Sequence, residues 1–191
     1  MKIESLEENN KVYRFALKDA TNSYANALRR VAINHVKTFA IESITFYENS
    51  SAMFDEYIAH RLGLIPIKTP SSGYSDEDEI LFTLEAEGPK TVYSNELAGK
   101  DKEVKVANDA IPIIKLAQEQ KIRVDCKAVM GNGIKHAKFQ PGIVTFDQVN
   151  DNTFNFYVET FGQMPPKEII NKAFSAIKDE LKEVEKEVKK I

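Results

Sequence analysis

A stripe of apolar residues spaced 4, 3, 4, 3, 4, 3 runs through the last segment, KEIINKAFSAIKDELKEVEKEVKKI: Ile170, Phe174, Ile177, Leu181, Val184, Val188 and Ile191. A strict 3.5-residue period is the seam of a coiled coil, narrower than the stripe of a helix lying on its own core. From Pro166 to Ile191 the segment has 26 residues, roughly 39 Å of helix at about 1.5 Å per residue. Pro165 and Pro166 stand at its start, where a missing N–H costs nothing. Lys178, Asp179, Glu180, Lys182, Glu183 and Glu185 keep its other faces wet. Seven seam side chains at about 1.5–3 kcal/mol each amount to ~10–20 kcal/mol of gross transfer free energy. Left in water, such an edge invites association. The only other long helical pattern, 23–38, spans about two-thirds of that length. A second chain is therefore expected to supply the missing helices. The alternative is an end that frays or curls back onto its own sheet.

The rest of the chain is strand-rich. KVYRFAL (11–17) alternates with Tyr13, Phe15 and Leu17 on one face, which predicts a strand. Thr21, Asn22 or Ser23 then caps a helix over 23–38 whose apolar face includes Tyr24, Leu28 and Val31, with Arg29 and Arg30 on the other side. AIESITFYE (40–48) is a strand, MFDEYIAHRLG (53–63) a short helix closed by Gly63, and ILFTLEAEG (80–88) and KTVYS (90–94) are strands. The cleanest alternation is KIRVDCKAVM (121–130), with Ile122, Val124, Cys126, Ala128 and Met130 on one face, as on a half-buried antiparallel sheet. IVTFDQV and TFNFYVETF flank the turn NDNT as a hairpin. There is no βαβ alternation and no internal repeat, so the class is α+β. The two ends share a character. Residues 1–38 and 153–191 are read as one discontinuous domain, an antiparallel sheet plus two long helices, with 39–152 inserted as a β-rich domain.

Composition excludes several functions. No apolar run approaches the ~20 residues of a membrane span, and MKIESLEENN, with its early acids, does not read as a signal peptide. One cysteine, Cys126, among 191 residues excludes an internal disulfide, a cysteine-cluster zinc site or an iron–sulfur cluster, and suits a reducing cytoplasm. A net charge of -3 gives no bulk attraction for nucleic acid.

Three groups of side chains are candidates for chemistry. Glu56 and His60 stand at i, i+4, a spacing that can give two metal ligands, but no third ligand is nearby and a solvent-facing pair is the ordinary reading. GNGIKHAKFQPG (131–142) sets glycines beside Lys135, His136 and Lys138; it lacks the helix start a phosphate-binding turn feeds, so a structural loop or protein contact is favoured. Arg29 and Arg30 suit either a solvated face or a partner carboxylate. No nucleophile elbow, phosphate-binding loop, HExxH or paired-carboxylate motif is present, so no catalytic residue and no small-molecule substrate are expected.

Three segments carry a resemblance. NALRRVAINHVKTFAIESITFYENSSAMFDEYIAHRLGLIPIKT (26–69), EGPKTVYS (87–94) and HAKFQP (136–141) followed by YVETFGQMPPKE resemble the α-like subunits of DNA-dependent RNA polymerase, in their archaeal, D-type form. The likeness covers essentially the whole chain and implies a dimerisation domain built from both ends, with an inserted β-rich domain. It implies a non-catalytic scaffold that pairs with the small α-like subunit L and docks subunits N, P and B, the last being the large catalytic one. DNA is then met only through the assembled enzyme. The implied partner seam is Leu28, Val31, Ile170, Phe174, Ile177, Leu181, Val184 and Val188. The implied large-subunit contacts are Arg29, Arg30, His60, Arg61, His136, Lys138 and Phe139; Asn26, Glu56, Leu62, Gly63 and Ala137 complete the matched motifs. Many archaeal members carry a cysteine-rich iron–sulfur insertion where this chain has only NDNT, and eukaryotic members a zinc-binding cluster where it has PSSGYSDEDE. Neither cofactor is expected here. The competing reading is a free-standing homodimeric binding module that uses the same helix against a second copy.

Overall fold

The structure is a computed structural model that describes residues 1–190; Ile191, the last member of the apolar stripe, lies outside the described residues. In chain order the elements begin with β1 (Lys2–Glu8), β2 (Val12–Lys18), α1 (Asn22–Asn34), β3 (Thr38–Asn49) and α2 (Asp55–Gly63). Then come β4 (Glu79–Glu87), β5 (Lys90–Tyr93), β6 (Ala98–Gly99), β7 (Pro112–Leu116) and β8 (Lys121–Gly131). The last are β9 (Gly142–Asn150), β10 (Thr153–Thr160) and α3 (Pro166–Val188). Every strand pairing is antiparallel and the class is α+β, as the pattern of elements predicted.

Two compact units divide the chain: residues 1–37 together with the chain from 132 onward, and residues 38–131 between them. The boundary drawn from the sequence at 152/153 is displaced to 131/132. The reason is the β9–β10 ladder, which runs from Gly142 opposite Thr160 to Asn150 opposite Thr153; a cut at 152 would sever one hairpin.

The first unit is a sheet of order β1-β2-β10-β9 under α1 and α3. Alternation in β2 and β10 sends Phe15, Leu17, Phe154, Phe156 and Val158 into the core, and the Phe15 and Phe156 rings stack 4.8 Å apart. Thr21 caps α1, its hydroxyl accepting from the Tyr24 N–H. The helix stops at Asn34, four residues before its expected end, with His35 as C-cap. β1 has no signature in the sequence, since all seven of its residues are exposed. Backbone pairing to β2 holds it, helped by Glu4–Lys18 and by Glu8–Lys167 at 2.8 Å.

The second unit has a sheet of order β3-β8-β4-β6 and a ribbon of β5 and β7. In β8, Ile122, Val124, Cys126 and Ala128 are buried as the alternation predicted. The short run PIIKL in β7 is a further strand beyond those expected, and its Ile113, Ile114 and Leu116 are core residues. Leu97, Val104 and Val106 are also core residues, although their segment reads as polar loop. Within that segment the Asp101 carboxylate accepts the Val104 and Glu103 N–H groups, which hold it below the usual carboxylate range.

Candidate protein-association surfaces

The 23 residues of α3 fall into two halves with different fates. In the first half Ile169, Ile170 and Ala173 are buried in the core of the first unit, with Phe174, Ala176 and Ile177 half-buried against it. From Lys178 onward every described side chain is exposed. Leu181, Val184 and Val188 are 64%, 60% and 63% exposed. Fully covering those three is worth about 5–9 kcal/mol gross. At the junction, His35 Nδ1 lies 2.6 Å from Glu180 Oε1 and ties the end of α1 to α3.

This corrects the expected seam. Leu28 and Val31 on α1 and Ile170 on α3 are inside the chain's own core, at 0%, 8% and 3% exposure. The near half of α3 buries the wide face of an ordinary core helix, Ile169 and Ala173 included, rather than a strict heptad edge. Over two turns the 3.5- and 3.6-residue periods coincide, so the sequence could not separate them. Phe174 and Ile177 are shared between core and surface, while Leu181, Val184 and Val188 are exposed.

The Gly-bounded loop is bound to α1 rather than open for a phosphate. The Ile134 N–H donates to Asn34 O at 3.3 Å, and the Gln140 amide reaches the Asn34 side chain at 3.4 Å. Gly133 permits this approach, because a Cβ there would lie 2.7 Å from Ile33 O. His136 Nδ1 accepts the Lys138 N–H at 3.1 Å, shaping the turn. Phe139 is fully buried and is therefore corrected as a surface contact; its ring lies 5.3 Å from the Lys138 ammonium and 5.5 Å from that of Lys135. His136 is exposed and Lys138 half-buried. On α1, Arg29 is half-buried with its guanidinium donating to Asn26 Oδ1, and Arg30 is exposed.

On α2, Ile58 and Leu62 face the core of the second unit. Arg61 bonds within its own chain: its Nε donates to Ile113 O at 2.8 Å and its terminal nitrogen to Pro112 O at 2.5 Å. It fastens α2 to β7, a role other than the surface contact expected of it. His60 is exposed. Beside it stand two aromatics absent from the expected contacts, Phe54 and Tyr57, 70% and 65% exposed. Tyr57 lies off the Ile58/Leu62 face of the helix, whereas Phe54 has the i, i+4 spacing of that face but stands before the first turn, as the N-cap. Among the described residues no group of three acidic, His or Cys side chains could hold a metal. Burial pushes the Cys126 thiol up to about 12, so it is a core side chain rather than a nucleophile.

An α+β body that extends a helix past its own core, with its apolar edge uncovered, is built to associate with other chains. The chain belongs to the RNA polymerase Rpb3/RpoA family, whose insert domain matches residues 31–149. It is similar to the DNA-directed RNA polymerase subunit Rpo3 of Methanocaldococcus jannaschii, 48% identical over 165 residues, 86% of this chain and 84% of that protein. The Rpo3 of Pyrococcus furiosus is 43% identical over 76% of this chain, and that of Halobacterium salinarum strain R1 40% identical over 74%. The chain spans 58% and 56% of the lengths of those two relatives.

Proposed function

We propose that this chain is a non-catalytic scaffold subunit of a DNA-directed RNA polymerase. The carrying observation is the uncovered edge Leu181–Val184–Val188, continuous with the half-buried Phe174 and Ile177. A helix-bearing partner, the small α-like subunit L, lies along this edge. Arg30, His136 and Lys138 of the first unit are candidates for contact with the large catalytic subunit, and subunits N and P join the same assembly. DNA is met only through the assembled enzyme. The protein works in the cytoplasm, where its single cysteine stays reduced. It needs no resident metal: the β9–β10 turn at 151–152 leaves no room for a cysteine-rich insertion, and one cysteine is too few for a cluster. No described helix is long and apolar enough to cross a membrane.

Co-expression with subunit L tests this reading. A soluble one-to-one complex is expected, and Leu181→Asp with Val184→Asp should abolish it, since two carboxylates cannot be buried unpaired in an apolar seam. Unchanged pairing in that variant would remove the edge as the interface. A native mass showing two copies of this chain and no other subunit would favour the homodimeric module instead.

A further inference from the structure

Between α2 and β7 lies a groove of about 590 Å³ within the second unit. Its apolar floor and rim come from Met53, Phe54 and Tyr57, and its basic side chains are His60, Arg61 and Lys115. No acid lines it, although the chain as a whole carries a net charge of -3. The Phe54 and Tyr57 rings stand 6.3 Å apart, both mostly in water. Arg61 donates to the carbonyls of Pro112 and Ile113, which fastens α2 to β7 along the groove. Among the described residues the side chains of His60 and Lys115 have no partner. Two exposed aromatics beside the unpaired Lys115 ammonium complement one kind of occupant: apolar side chains for the rings, a carboxylate for the ammonium.

We propose that this groove seats an extended apolar segment bearing carboxylates, supplied by another chain of the polymerase. The proposal rests on the scaffold reading and deepens it. Tyr57 and Phe54 provide the contact area, as aromatic anchors do in other interfaces. Lys115 selects against basic or neutral segments and fixes the register of the bound strand.

The test is photo-cross-linking in the assembled enzyme, with p-benzoyl-phenylalanine in place of Tyr57 and, as control, in place of the exposed Tyr47. A single adduct at position 57 is expected, on a polymerase segment with an Asp or Glu within a few residues of a Leu, Ile or Phe. Lys115→Glu should lower its yield at least fivefold, while Lys115→Arg keeps it. An adduct to nucleic acid, an adduct to a segment without a carboxylate, or a yield indifferent to Lys115→Glu would each overturn the proposal. Incorporation into the polymerase without any adduct at 57 would overturn the groove alone. Failure of the unsubstituted chain to enter the polymerase would sink the scaffold reading and the groove with it.

Discussion

His35 Nδ1 and Glu180 Oε1 meet at 2.6 Å where α3 ceases to be covered by its own core. One partner is the C-cap of α1; the other sits three residues after Ile177 and one before the exposed Leu181. The pair marks where the exposed half of α3 starts. Both side chains are partly in water, so the bond contributes little to folding. His35→Ala should leave the melting temperature almost unchanged and weaken pairing through α3 by at most about fivefold, read by titrating subunit L. A large fall in melting temperature would show instead that the bond is part of the core.

The two halves of α3 should respond differently to truncation. Ile169→Ala opens a cavity under the helix and should cost about 2–5 kcal/mol of unfolding free energy in denaturant titrations. Val184→Ala removes only exposed methyl groups, so the isolated chain should keep its stability within ~0.5 kcal/mol. The second variant should lose affinity for the partner and the first should not, once folded.

Gly133→Ala should be destabilising although the residue lies in a loop. Its Cβ would press on Ile33 O at 2.7 Å and on Asn34 Cα at 3.0 Å, both backbone atoms that cannot swing aside. The loop must then lift from α1 and lose the Ile134-to-Asn34 hydrogen bond. Faster amide exchange at Ile134 is the expected reading, with the core amides of β10 unchanged.

Cys126 gives a pH prediction. Burial favours the neutral thiol, so its folded value of about 12 lies above the ordinary value of 9.0. A group raised in this way stabilises the fold fully below its unfolded pKa and loses that contribution as pH climbs through the window from 9 to 12. Stability should fall across that window, and less steeply in Cys126→Ala. At pH 8 the native thiol should resist a disulfide reagent and react stoichiometrically on unfolding. Reaction in the native state would mean that β8 opens locally.

Several features of this chain are local enough to be read directly. The alternation of 121–130 gives β8 and its buried face, because a strand has a side-chain period of two whatever surrounds it. The helix over 166–188 is legible for the same reason, as is the β9–β10 hairpin around its turn. β1 and β7 are not legible, for opposite causes. β1 has no buried side chain to mark it and exists through backbone pairing to β2; β7 is too short for a period to show. The candidate site divides in the same way. His60 and His136 are exposed, yet Phe139 lies inside, and Phe54 and Tyr57 stand exposed with no motif to announce them.

By itself, then, the sequence determined that this protein is α+β, that it carries a long amphipathic helix over 166–188, and which side chains form the apolar stripe. Only the tertiary structure decided how much of that stripe the chain covers itself. A period records which residues share a face, and Ile170 and Val184 share one by spacing alone. Burial depends on what stands opposite: for Ile170 the core of the first unit, for Val184 nothing among the described residues. That opposing surface is assembled from β2, β10 and α1, whose distance along the chain from α3 no local pattern records.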